Sequence, residues 1–179
     1  VCSSDLVMKV NVYSRSPKVK LYLNDKLIGE KETGKENYTA TFDVPYEPGT
    51  LKAVNSKGKE EFVLKTAGAP AAIRLIADRS KIKACKNDLS YVKIELVDKN
   101  GNVVPETSLP VKIECTGKGT VIAGGNAAYA DMESFRSLTP NTFRGKAIAI
   151  VQPDGEKGDI QVKVSAKGLE DASIVITTY

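Results

Sequence analysis

Nucleophilic, acid–base and metal-assisted chemistry draws on a short list of side chains, and one of them is missing here. The 179 residues include no histidine, which excludes Ser-His and Cys-His nucleophilic pairs, imidazole bases and imidazole-ligated metals together. The three cysteines, Cys2, Cys85 and Cys115, contain no Cys-x-x-Cys spacing, so no thiolate zinc site or dithiol redox centre is encoded. Cys115 lies in an apolar run and reads as a small core residue. Whether Cys85 pairs with Cys115 depends on a fold that brings them within reach. Paired carboxylates are the next candidates, because cleaving a glycosidic bond takes two of them about 5 Å apart for retention and farther for inversion. Glu30 with Glu32, Glu60 with Glu61, and Glu170 with Asp171 all sit in polar stretches beside lysine or glycine. Nothing apolar surrounds them to raise one pKa and leave the other ionised. The expectation is no catalytic residue, no cofactor and no metal.

Weaker signals reduce to turns. Asp98, Asn100 and Asn102 have the alternate oxygen spacing that opens a calcium loop, but Val103 stands where the loop needs glycine and Leu109 where it needs glutamate. Gly117-Lys118-Gly119-Thr120 lacks the upstream glycine and the following helix of a phosphate loop. Asn37-Tyr38-Thr39 fits the N-glycosylation pattern and is assigned no role. Sugar binding needs a flat aromatic face and polar groups that fix hydroxyls. Tyr22 and Tyr46 are candidate surface stackers, and Asn126, Tyr129, Phe135 and Arg136 are the candidate carbohydrate contacts. The competing expectation has Phe135 and Phe143 plugging one end of a sandwich and Tyr46 packed on its own turn.

Charge adds no partner. There are 11 basic and 9 acidic residues before Gly68, and 15 and 13 from it onward. Neither half is an electrostatic arm, so no nucleic acid is expected. No apolar run approaches the roughly eighteen residues of a membrane span, and no basic start followed by an apolar stretch resembles a signal peptide. Residues 1–6, Val-Cys-Ser-Ser-Asp-Leu, read as a translated sequencing adapter rather than native sequence.

The elements that must position these groups are strands. Val19, Leu21 and Leu23 alternate with Lys18, Lys20 and Tyr22, and Tyr38, Ala40, Phe42 and Val44 alternate with Thr39, Thr41 and Asp43. Such period-two runs are half buried against a second sheet. Asn24-Asp25 is hairpin chemistry, since both residues tolerate positive φ. Turns recur about every ten residues, the spacing of a small immunoglobulin-like sandwich. Thr66-Ala67-Gly68-Ala69-Pro70-Ala71 is a stiff hinge. Beyond it Val92, Ile94 and Leu96 alternate with Lys93, Glu95 and Val97, and further strands cover Ala147 to Val151, Ile160 to Val164 and Ile174 to Ile176. The fold class is all-β, two tandem immunoglobulin-like β-sandwiches, with domains over residues 1–68 and 69–179. Gly124 to Arg144 is the one long stretch without alternation, and loops of that length are uncommon.

Two sets of strings carry a family resemblance. Val19-Lys20-Leu21-Tyr22-Leu23-Asn24-Asp25-Lys26-Leu27-Ile28-Gly29, Phe42 to Val54 and Thr66 to Pro70 resemble the first C-terminal immunoglobulin-like module of Bacteroides-type glycoside hydrolase family 2 β-galactosidases. Asp88 to Val92, Asp98 to Pro105, Glu133-Ser134-Phe135-Arg136 and Gly145 to Val151 are similar to the invasin-like module that follows it. The resemblance runs from about Val7 to the end. It implies a periplasmic or extracellular parent enzyme that hydrolyses β-galactosides with retention, through two glutamates on a TIM barrel upstream of these modules. No residue here matches those catalytic motifs. The implied role is a noncatalytic accessory region supporting or spacing that barrel, with the catalytic domains of the parent chain, and glycan, as partners. The alternatives are a carbohydrate-binding module and an adhesion-type pair unrelated to any enzyme. Two turns depart from the family pattern: Asn24-Asp25 replaces Asn-Gly, and Ala84-Cys85-Lys86 replaces Ala-Asp-Gly.

Overall fold

In the computed structural model, which describes residues 6–179, every regular element is a strand. The expectation for residues 1–6 therefore lies, except at Leu6, outside the described residues. The chain divides into two compact units, the first ending at Thr66 and the second running Ala67–Tyr179.

The first unit holds β1 (Val7–Tyr13), β2 (Lys18–Leu23), β3 (Lys26–Glu32), β4 (Thr39–Pro45), β5 (Thr50–Asn55) and β6 (Glu61–Lys65). β1 pairs with β4 as a two-stranded sheet, which faces a four-stranded sheet of order β3-β2-β5-β6. The alternation does its work on β2 and β4. Val19, Leu21 and Leu23 from one sheet meet Ala40, Phe42 and Val44 from the other, all buried, while the intervening lysines and threonines stay outside. Tyr38 falls outside this pattern. It sits at φ 52° ahead of β4, with its ring exposed, so the strand starts at Thr39.

The β2–β3 hairpin turns on Asn24 and Asp25 at φ 49° and 64°, the left-handed pair of a type I′ turn. Asparagine at the first of these positions has a second task. Its Oδ1 accepts from the Thr50 N–H at 2.8 Å and its Nδ2 donates to the Pro48 carbonyl at 3.2 Å, tying the hairpin to the start of β5. Gly49 makes room for it, because a Cβ there would lie 1.8 Å from that Oδ1.

The second unit contains β7 (Ala72–Ala77), β8 (Lys81–Ile82), β9 (Ser90–Val97), β10 (Val111–Gly117), β11 (Gly119–Gly125), β12 (Lys146–Pro153), β13 (Gly158–Ala166) and β14 (Ala172–Thr178). Its two sheets have the orders β10-β13-β14-β8 and β11-β12-β9-β7, antiparallel except where β14 meets β8. Val92, Ile94, Leu96, Ala149 and Val151 from one sheet interdigitate with Val111, Ile113, Ile160, Val162, Val164 and Ile176 from the other, each almost fully buried. Burying one such side chain contributes roughly 1.5–3 kcal/mol, and here the aliphatic rows are continuous. The Gly117-Lys118-Gly119-Thr120 string is the crossing from β10 to β11, as a turn reading requires.

Cys85 and Cys115 are both free thiols. Cys115 packs half-buried against the core, and that burial pushes its thiol up. The Ala84-Cys85-Lys86 turn is held without the family's aspartate-glycine chemistry. Asp88 accepts from the Lys83 N–H and from the Arg79 guanidinium, each at 2.7 Å, and these donors hold its carboxyl below the usual range, the Lys83 amide first.

Candidate functional site

The acids fall into two groups. Those singled out in pairs are on the surface: Glu30 and Glu32 face Lys20 and Lys18 at 3.8 and 3.7 Å, Glu60 accepts from Asn55 Nδ2, and Asp171 pairs with Lys163 at 2.7 Å. Two others are buried where the sequence pattern expects solvated acids, Glu95 and Asp98, at 6% and 4% exposure. Both are held by donors, Asp98 through both of its oxygens and Glu95 through one. Glu95 Oε2 accepts from Arg74 Nε at 2.9 Å and from its terminal nitrogen at 2.6 Å, and Lys146 lies 3.9 Å from the other oxygen. Asp98 accepts from the backbone N–H groups of Gly68, Asn100 and Asn102 at 2.8–2.9 Å and from Asn102 Nδ2 at 3.1 Å. Gly68 first, then the Asn102 side chain and the backbone amides of Asn102 and Asn100, hold the Asp98 carboxyl at a pKa of about 2. The Asp-x-Asn-x-Asn spacing is thus an Asx-type turn that fastens the chain entering the second unit. Among the described residues no group of three or more Cys, Asp or Glu side chains is arranged to hold a metal ion.

The long segment between β11 and β12 is ordered by hydrogen bonds. Its second half runs along the free edge of β10: Val111 and Ile113 donate to the carbonyls of Pro140 and Leu138 at 3.0 and 2.8 Å, and Thr142 donates to Leu109. An edge strand presents unpaired amides that invite other chains, and this loop covers them. Its first half is a chain of side-chain-to-backbone turns, each closing on the amide two residues ahead, from Asn126, Asp131, Ser134 and Ser137. Asn126 Nδ2 also donates to Asp131 Oδ2 at 2.5 Å and to the Asn141 carbonyl at 2.9 Å. The Glu133 amide and Asn126 keep the Asp131 carboxyl below its ordinary range.

Around this frame a small recess, open to solvent, is lined by Gly125, Asn126, Asp131, Glu133, Ser134 and Phe135 among others. The sequence candidates divide there. Asn126 and Phe135 line the recess, whereas Tyr129 and Arg136 do not. Phe135 does not plug the sandwich. It lies over Gly125, where a Cβ would come 2.8 Å from the ring, and remains 70% exposed. Phe143 is the half-buried partner of that expectation, with the Arg144 guanidinium 5.5 Å above its ring. Tyr129 is 100% exposed and Met132 95% exposed. Asp131 was missed by residue-type reasoning, although its place five residues after Asn126 and ahead of a string of Ser and Thr is the mark of consecutive side-chain turns. Tyr46 is exposed at the edge of the first unit, and Tyr22 carries Lys52 5.5 Å above its ring.

Two compact units built only of strands, in a sandwich-like arrangement of sheets, with acids that are either solvated or held by donors, define an all-β, module-like chain. The family model described as glycoside hydrolase family 2 C-terminal domain 5 matches residues 73–175, and a model described as a domain of unknown function (DUF4982) matches residues 6–62. A β-galactosidase of Bacteroides ovatus, BoGH2A, is 32% identical over 168 residues, covering 92% of this chain and 20% of its own length. A β-glucuronidase of Formosa agariphila is 28% identical, covering 92% of this chain and 17% of its own length. The crystal structure of a glycosyl hydrolase family 2 member from Bacteroides cellulosilyticus superposes with a TM-score of 0.91 at 36% identity, over 99% of this chain and 24% of that one. The chain belongs to glycoside hydrolase family 2, as a C-terminal region of it. It spans about a sixth to a quarter of the length of these relatives, and the catalytic barrel is not part of it. This family membership overturns the alternative of an adhesion-type pair unrelated to any enzyme.

Proposed function

We propose that this region makes no bond-breaking contribution of its own and serves a family 2 glycosidase as a structural support, holding or spacing a catalytic barrel encoded upstream in the same polypeptide. The observation that carries this reading is the match of nearly the whole chain to the C-terminal fifth to quarter of glycosidases. A β-galactoside is the proposed substrate of the parent, and the periplasm or cell exterior its proposed location. The test is a comparison of the purified 179-residue chain with the full-length enzyme on chromogenic β-galactosides and β-glucuronides. Turnover by the full-length enzyme alone is expected. Turnover by the chain, after contaminating activity is removed, defeats the reading.

A second reading, glycan contact through the β11–β12 loop, is favoured by Tyr129 and Phe135, whose aromatic faces stand free on a segment pinned by Asn126 and Asp131. Arg136, next to Phe135 in the chain, carries donors suited to hydroxyl groups. Titration with galactosides and with plant and host glycans tests it. Saturable binding that Tyr129→Ala or Phe135→Ala removes without loss of folding supports this second role, and its absence leaves the loop as the cover of β10 only.

A further inference from the structure

The two sheets of the first unit are unequal, and the inequality leaves one end of its interior open. Cross-strand partners share a face of a sheet, so the register lays out two inward rows. One runs Gly29, Leu21, Ala53, Phe62, and the other Leu23, Leu51, Leu64, each ending on β6. Leu21 and Leu23 on β2 are 1% and 7% exposed, Ala53 and Leu51 on β5 are partly buried, and Phe62 and Leu64 on β6 are 68% and 54% exposed. Burial thus fades along each row because the facing sheet has two strands where this one has four. β6 is also an edge strand. Edges that must stay single are protected by inward charges or proline, but here the charges, Glu61 and Lys65, stand at the two ends of the strand and the inward positions between them are phenylalanine and leucine.

We infer that the inner face of β5 and β6, centred on Phe62 and Leu64, is the docking surface for the catalytic domain of the same polypeptide; this rests on the accessory reading above. The relatives are about four to five times as long as this chain. A large domain carried on the same polypeptide meets the sandwich intramolecularly, which favours it over a free partner for an apolar face left open. The chemistry of the patch selects a protein. Aliphatic Leu51, Ala53 and Leu64 flank the one aromatic ring; Lys18, Lys20 and Lys52 alternate onto the opposite face, while Lys26 and Lys31, across from Leu23 and Val19, lie at the β3 end of the inner face, away from β6.

The experiment places a single reporter thiol at the patch, Phe62→Cys with the native cysteines replaced by serine, in the 179-residue chain and in the full-length enzyme. Maleimide labelling is expected to be at least tenfold slower in the full-length enzyme, and Leu64→Ser is expected to restore much of the lost rate while circular dichroism stays unchanged. Equal labelling rates in an active full-length enzyme overturn the surface but leave the accessory reading intact. Labelling of the isolated chain that slows as its own concentration rises identifies a second copy as the occupant and overturns the proposal. A gene with no barrel upstream overturns the accessory reading and this surface together.

Discussion

The two units are built from the same alternation and differ in how far it is completed. In the second, two four-stranded sheets match in width, and fifteen buried apolar residues form one cluster. In the first, a two-stranded sheet lies on a four-stranded one, and the buried cluster has six members centred on Phe42. The difference teaches that the burial a sandwich achieves is limited by its narrower sheet. Inward residues beyond its reach, such as Phe62 and Leu64, have the pattern of core residues without the burial. Small domains bury a smaller share of their surface and are correspondingly marginal.

The contrast can be broken most directly at Phe42. Its ring is 2% exposed, lies against Gly29 and carries Lys31 5.2 Å above it. Phe42→Ala is expected to cost about 3–5 kcal/mol, comparable with the whole stability of a unit this size at roughly 0.05–0.15 kcal/mol per residue. Hydrogen exchange resolved by peptide then rises across β2, β4 and β5 while β9 and β12 keep their protection. Uniform exchange in both units would show that the smaller core is not the weaker one. Ile160→Ala in the second unit removes a fully buried side chain at about 2–5 kcal/mol. The larger cluster is expected to absorb it: a lower urea midpoint, with exchange protection of β9, β12 and β13 retained. Loss of that protection would remove the distinction.

A smaller effect is expected at Asp98. Its folded pKa of about 2 lies below the ordinary aspartate value near 3.9, so its contribution is complete above that value and is lost as pH falls through about 2. Amide exchange of Gly68, Asn100 and Asn102, measured between pH 5 and 2 with correction for intrinsic rates, is expected to accelerate over the lower part of that range. Asp98→Asn removes the pH dependence. Protection that stays flat to pH 2 in the native chain contradicts this assignment. The smallest change is expected from Tyr129→Ala. The side chain is fully exposed, so stability moves by less than about 0.5 kcal/mol, and a larger shift in the melting temperature would mean that the loop packs through Tyr129.

Most of the strand order along the chain was legible, because period-two alternation reports which residues face inward whatever they eventually meet. Val19, Leu21 and Leu23, or Val92, Ile94 and Leu96, carry that information locally. The Asn24-Asp25 turn was equally legible from its tolerance of positive φ. Of the loop candidates, residue type was enough to single out Asn126 and Phe135, which share the recess, but could not separate them from Tyr129 and Arg136, since that depends on which loop atoms fold back. Alternation puts Glu95 on the face away from Ile94 and Leu96 but does not show that it is buried there. Its burial comes from Arg74 and Lys146, brought beside it by β7 and β12, and pairing across strands leaves no trace in a local pattern.

By itself, then, the sequence determined the chemistry denied to this chain and the elements it forms. The absence of imidazole is a property of composition, and alternation is a property of neighbours in the chain. Only tertiary structure decided how wide each sheet became, that Phe62, Leu64 and Phe135 stand exposed, and that Asp98 and Glu95 are buried with their donors. Those outcomes depend on which strand lies opposite which, and burial is a relation between surfaces far apart in sequence.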